Sequence, residues 1–247
     1  MQALILEQQD GKTIAAVKAV DDSLLPQGNV TVDIQWSSLN YKDALAITGK
    51  GKIIRNFPMV PGIDFAGTVH ASDDARFTLG QQVLLTGWGV GENHWGGLSN
   101  RARVNADWLV PQPAGLDGRK AMIIGTAGFT AMLCVMALED AGIRPEDGEV
   151  VVTGASGGVG STAVALLHHL GYKVAAVSGR ESTHEYLKHL GAQRILSRDE
   201  FAETRPLEKQ QWAGAVDTVG DKVLAKLLAQ MNYGGCVAAC GLAGGFA

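Results

Sequence analysis

Cysteine is scarce in this chain, three in 247 residues, and none occurs before Cys134. Thiols at Cys134, Cys236 and Cys240 are too few for a disulfide framework, and the first half lacks the closely spaced thiolates that hold structural zinc. The three are expected to be small core residues. Charge is sparse too: 19% of residues are charged, 21 basic against 25 acidic, for a formal net charge of −4. No basic cluster of the size that tracks a phosphate backbone is present, which sets nucleic acid aside as a partner and leaves a small metabolite. The opening residues, Met1-Gln2-Ala3-Leu4-Ile5-Leu6-Glu7, have no basic region leading into an apolar core, so the expectation is a cytoplasmic protein without a secretory signal. One uncharged stretch, Ala121 to Leu138, has the length of a membrane span. Gly125, Thr126, Gly128 and Thr130 interrupt it, so it reads as a turn followed by a buried helix, with no membrane partner.

The most informative stretch runs Val150-Val151-Val152-Thr153-Gly154-Ala155-Ser156-Gly157-Gly158-Val159-Gly160, an apolar run that ends in glycines and opens a small-residue helix. A pyrophosphate must approach backbone amides at a helix N-terminus, and only residues without bulk let the chain pass that close. Gly157 and Gly160 fill the second and third places of the dinucleotide pattern, and Ala155 stands where the first glycine would be. The next strand, Tyr172 to Val177, ends in Ser178-Gly179-Arg180, where an acidic residue would hold an NAD ribose. A carboxylate there would repel a 2′-phosphate, whereas a hydroxyl, an amide and a guanidinium can all donate to one, so NADPH is expected over NADH. The alternative for Arg180 is a solvated loop cation.

Around this motif the pattern divides. Over the first part, Val30, Val32, Ile34 and Trp36 alternate with polar residues, as one buried sheet face requires. Short apolar runs at Ala3 to Leu6, Phe65 to Val69, Val83 to Thr86 and Trp108 to Val110 suit a small barrel, with a helix beginning near Tyr41. From about Ala121 helices and strands alternate, with strands at Val150 to Thr153, Lys173 to Val177, Arg194 to Leu196, Ala213 to Thr218 and Gly235 to Cys240, the pattern of a parallel sheet. A last helix shows Val223, Leu224, Leu227, Leu228 and Met231 on one face, with Asp221 able to cap its start and Gly234 after its end. Lys50, Lys52 and Arg55 form a small basic cluster that could meet the phosphates of a coenzyme A ester or be a solvated loop.

The strings NYKD (Asn40 to Asp43), PGIDFAGTV (Pro61 to Val69) and TGASGGVG (Thr153 to Gly160), in this order along a β-rich half and an α/β half, resemble the medium-chain dehydrogenases/reductases. Within them the chain resembles the zinc-free quinone-oxidoreductase branch. Zinc relatives carry Gly-His-Glu where this chain has Gly62-Ile63-Asp64, so no metal ligand is expected, and His94 is read as a loop or pocket-wall residue. The resemblance implies an α/β protein: a GroES-like β-barrel catalytic domain over residues 1–120, and a doubly wound Rossmann NADP-binding domain over 121–247. It also implies a final Rossmann strand and a return to the barrel beyond these residues, without which the sheet should be less stable.

For chemistry, the longer strings SSLNYKDALAITGKGKIIRNFPMVPGID and LLTGWGVGENHWGG resemble the branch's enoyl-thioester reductases, and imply NADPH-dependent reduction of acrylyl-coenzyme A to propionyl-coenzyme A by a cytoplasmic homodimer. Tyr41 is placed by the resemblance beside the nicotinamide, as the catalytic candidate and an NADP contact, with packing at a helix start as its plainer role. Ser156, Gly157, Gly158 and Val159 are carried over as phosphate contacts, Ser178, Gly179 and Arg180 as the 2′-phosphate site, and Arg198 and Leu242 as further cofactor contacts. Asn40, Asp43 and Asp64 are read as structural support. A quinone or aldehyde reductase is the rival activity, and an NADPH-binding sensor without turnover is the reading of another class. A short-chain dehydrogenase is disfavoured because none of Tyr172, Tyr186 or Tyr233 has lysine four residues on.

Overall fold

Period-two patterning puts the first half of the chain into strands in the computed structural model, which describes residues 1–205 and 207–245. β1 (Gln2–Gln9) and β2 (Lys12–Ala19) form a hairpin whose turn residues, Asp10 and Gly11, both take positive φ, the Asp-Gly turn chemistry that matches strand twist. β3 (Val30–Ser37), β4 (Asp64–Ser72), β5 (Gln82–Thr86), β6 (Arg101–Val104) and β7 (Val110–Pro111) build an antiparallel sheet ordered β6-β3-β4-β5-β7. Val30, Val32, Phe65, Val69, Val83, Leu85 and Val104 meet in one core, each fully buried side chain contributing about 1.5–3 kcal/mol. Helix α1 (Tyr41–Thr48) lies in the connection from β3 to β4.

The expected alternation along β3 fails at its far end, where Trp36 is 46% exposed. The register shifts between Ile34 and Trp36, and this irregularity turns the strand's last residues away from the core.

Helix α2 (Gly118–Asp140) is two helices joined across a kink, so the expected turn is a single break at Gly125 with helix on both sides of it. Its first turns are already helical, and Gly125, at φ 51° and ψ −163°, is the only non-helical residue within it. The chain divides into the units Met1–Thr126 and Ala127–Ala247 immediately after this kink. Ala121 and Met122 pack on Ala66 in the first unit; Ala131, Cys134, Val135 and Leu138 enter the core of the second. By length and composition α2 could cross a membrane, with a mean hydropathy of 2.0, but 44% of its apolar window is buried in the protein. Phe129, Met132, Leu133 and Met136 remain exposed, so the helix expected to be buried is buried on one side only.

In the second unit β8 (Glu149–Val152), α3 (Gly158–His169), β9 (Lys173–Val177), α4 (His184–His189), β10 (Arg194–Leu196), β11 (Trp212–Asp217), α5 (Asp221–Gln230) and β12 (Met231–Ala239) alternate. The strands form a parallel sheet ordered β10-β9-β8-β11-β12. Val150 and Val152 face a core with Ala163, Val164 and Leu167 of α3, while Val151 faces another with Trp212, Ala215 and Leu227. Burial on both faces is what selects near-continuous apolar strands in a doubly wound sheet.

Helix α5 departs from expectation. Leu228 is 59% exposed, while Lys226 and Gln230 are buried, because Lys226 Nζ reaches Glu208 at 2.5 Å and Gln230 Oε1 accepts from Trp212 Nε1 at 3.0 Å. Gly220 caps the helix, with Asp221 as its first residue, and Gly234 lies inside β12.

Candidate active site

In the first unit, two buried carboxylates fix the start of α1. Asp43 Oδ2 accepts from the Asn40 backbone N–H at 2.8 Å, and Oδ1 accepts from the Gly62 and Ile63 N–H groups, each at 3.1 Å. Burial pushes the Asp43 carboxyl above its ordinary range, opposed by these donors. Asp64, fully buried, takes four bonds. Ser38 Oγ and Asn40 Nδ2 donate to Oδ2 at 2.5 and 2.9 Å, as does the Thr126 N–H at 2.9 Å, and Thr126 Oγ1 donates to Oδ1 at 2.5 Å. The α2 kink makes room for this network: a Cβ at Gly125 would stand 2.9 Å from Asp64 Oδ2, and its positive φ suits glycine. These bonds tie β3, α1, β4 and α2 together under Asn40. Tyr41, the first helical residue, is 63% exposed, so its phenol is held out on a rigid frame.

The same residues do not fit a zinc ion. Both Asp64 oxygens are engaged by hydroxyl and amide donors, and among the described residues no three His, Cys, Asp or Glu side chains converge on a metal position. His94 is a structural residue: its Nε2 lies 2.7 Å from the Arg103 carbonyl oxygen, and its ring stands edge-on to Trp108. Cys134 is buried in the second core, and Cys236 and Cys240 are half-buried against it.

In the second unit the glycine turn leaves β8 and caps α3. The Thr153 hydroxyl donates to Asp217 Oδ1 at 2.6 Å, both side chains fully buried, and accepts from the Thr218 N–H at 3.1 Å. Asp217 Oδ2 also accepts from the Gly220 N–H at 2.8 Å, so one carboxylate organises the turns after β8 and β11. Gly157 is the N-cap of α3, and the first N–H groups of that helix have no partner within it. Gly160 packs the helix onto the turn: a Cβ there would lie 2.4 Å from the Gly154 carbonyl oxygen. The result is a cradle of backbone donors at the positive end of a helix dipole.

The proposed 2′-phosphate residues gather beside this cradle. Arg180 Nη2 donates to Ser156 Oγ at 3.3 Å, so the guanidinium reaches from the end of β9 to the glycine turn. Ser178 Oγ accepts from the Arg180 N–H at 3.3 Å and pairs with Thr183 Oγ1 at 2.9 Å. Arg198 lies against Gly179, where an added Cβ would meet its Cβ at 3.4 Å. Leu242 borders the turn after β11, 3.1 Å from a Cβ added at Gly220. The sequence reading missed Asp217, Thr218 and Thr126, whose partners lie 62 to 65 residues away in the chain.

Two family models match. The alcohol dehydrogenase GroES-like domain covers residues 26–114, and the zinc-binding dehydrogenase domain covers 158–246. The chain is 82% identical to the probable acrylyl-CoA reductase AcuI of Escherichia coli strain K12, over 100% of this chain and 76% of that protein. It is 60% identical to the acrylyl-CoA reductase AcuI of Ruegeria pomeroyi, over 97% of this chain and 73% of that one. It superimposes with a TM-score of 0.98 on the yhdH oxidoreductase of Salmonella enterica in complex with NADP, at 85% identity, covering 100% of this chain and 76% of that structure. The chain thus spans about three quarters of the length of these relatives.

Proposed function

We propose, since the chain belongs to the medium-chain dehydrogenase/reductase superfamily, in its quinone-oxidoreductase-like branch, that it catalyses NADPH-dependent reduction of acrylyl-coenzyme A to propionyl-coenzyme A. The observation that carries this is the 82% identity, over the whole chain, to a probable acrylyl-CoA reductase. The cradle agrees with the cofactor. Its glycines admit a pyrophosphate where a Cβ would collide, and Arg180 and Ser178 offer charge and hydrogen bonds to a 2′-phosphate, with no carboxylate at the strand tip to repel it.

When bound, NADPH supplies the hydride that adds to the β-carbon of the enoyl thioester, and the α-carbon takes a proton. Ser156, Gly157, Gly158 and Val159 hold the phosphates, with Arg198 and Leu242 as flanking contacts. Tyr41 serves as the catalytic polar group. Its phenol either donates the proton or orients substrate and cofactor, and Asn40, Asp43 and Asp64 keep it in place. The resemblance also brings a homodimer and a cytoplasmic location into the proposal.

The test is NADPH oxidation by the purified protein with acrylyl-coenzyme A and a simple quinone, side by side at equal concentration. Fast thioester-dependent oxidation is expected. A quinone-only rate moves the function to the rival activity, and tight NADPH binding without turnover makes the chain a sensor.

A further inference from the structure

Trp88 stands in left-handed backbone, at φ 56°, between Gly87 at φ 81° and Gly89 at φ 73°. A bulky side chain rarely adopts that conformation, and no burial offsets it here, since Trp88 is 63% exposed. The loop around it is pinned. The Gly87 N–H donates to the Ile63 carbonyl at 3.2 Å, and the N–H groups of Glu92, Asn93 and His94 converge on the Gly89 carbonyl at 3.1, 2.9 and 3.2 Å. A strained residue on an over-determined support, its large apolar ring turned to solvent, points to a ligand that the ring meets.

Ile63 fixes where that ligand lies. Its carbonyl holds Gly87, and its N–H donates to Asp43, the residue that fixes the start of α1 under Tyr41. Lys42, next to Tyr41, ties the frame a second time through its 2.8 Å ion pair with Glu92. Trp88 and Tyr41 are therefore built on one frame, each with its ring exposed.

We propose that Trp88 is the acyl wall of the substrate site: its indole face contacts the flat, conjugated enoyl thioester beside Tyr41 and limits how far the acyl chain extends past the β-carbon. This rests on the thioester reading above. A rigid aromatic wall admits the three-carbon acyl group and rejects longer ones, while excluding water from the reacting carbons.

The test compares the unsubstituted protein with Trp88→Gly and Trp88→Phe. Initial rates are measured with NADPH and each of acrylyl-, crotonyl- and trans-2-hexenoyl-coenzyme A, together with melting temperatures. Glycine removes the ring and suits the backbone, so Trp88→Gly should melt no lower than the unsubstituted protein. Its kcat/KM preference for acrylyl- over hexenoyl-coenzyme A should fall at least about tenfold, with Trp88→Phe between. A preference unchanged within about twofold in an active protein overturns the inference alone. So does a lower melting temperature for Trp88→Gly, which would make the ring a packing element. An unsubstituted protein inert toward all three thioesters overturns the thioester reading, and the acyl wall with it.

Discussion

Replacing Arg180 by alanine is expected to separate NADPH from NADH. The guanidinium lies 3.3 Å from Ser156 Oγ, over the glycine turn, and its backbone N–H is held by Ser178, so its fork is already aimed at the mouth of the cradle. A charge-assisted hydrogen bond to a phosphate contributes about 1.5–3 kcal/mol, and solvent around this exposed side chain favours the lower half, about 1.5–2 kcal/mol. Converted, Kd for NADPH should rise roughly 10- to 30-fold. NADH lacks the 2′-phosphate, so its Kd should stay within about twofold. Arg180→Lys keeps the charge without the planar fork and should fall between. Calorimetric titration with both cofactors at two salt concentrations reads all of this, and added salt should weaken NADPH more than NADH in the unsubstituted protein. Equal loss for both cofactors would refute the assignment, since Arg180 would then be supporting the loop and not reading the phosphate. No loss for either would make it a surface cation.

Tyr41→Phe should leave NADPH affinity unchanged and lower the single-turnover rate of thioester reduction by about 10²- to 10⁴-fold, the worth of a positioned proton donor; an unchanged rate would reduce the ring to packing. Gly160→Ala forces a methyl to within 2.4 Å of the Gly154 carbonyl oxygen, and should cost about 1–3 kcal/mol in urea unfolding as well as weaken NADPH; a variant with normal stability and binding would show that the turn yields freely. Burial holds Asp43 above its ordinary value of 3.8, so the native state binds that proton more readily than the unfolded chain does. The stability this shift contributes is full below the unfolded value and declines as pH rises through the native one. Asp43→Asn, which does not titrate, should therefore cost more stability at about pH 3.5 than at about pH 7, and a cost that grows with pH would reverse the sign.

Much of the fold was legible because burial on two faces leaves a plain mark. Val150 to Val152 can be apolar throughout only if helices cover both sides, and the strands Lys173–Val177 and Arg194–Leu196 fall where the sequence places them. What was not legible depends on partners far along the chain. Gly125 reads as a breaker and the helix does break there, but nothing local shows that the break is held by Thr126, which donates twice to Asp64, 62 residues upstream. On α5 the apolar pattern favoured Leu228, but Glu208 and Trp212 recruit Lys226 and Gln230 to the buried side instead. Trp88 left no periodic signal, since its distinction is a backbone angle.

Asp64 shows how the two levels join. In sequence, Gly62-Ile63-Asp64 argues only by difference from the Gly-His-Glu of zinc relatives. In structure, the carboxylate acts as a brace, because Ser38 and Asn40 from the β3–α1 connection and Thr126 from α2 converge on its two oxygens. Each bond gives a buried negative charge a donor, and each donor belongs to an element that must be held under Tyr41 or at the kink of α2. A cation at this carboxylate would have to displace those donors and loosen the frame that they hold. If the proposed thioester reduction holds, polarisation of the carbonyl on this unit falls to hydrogen-bond donors, with the Tyr41 phenol as the proposed one, on a helix start that Asp64 braces through Asn40.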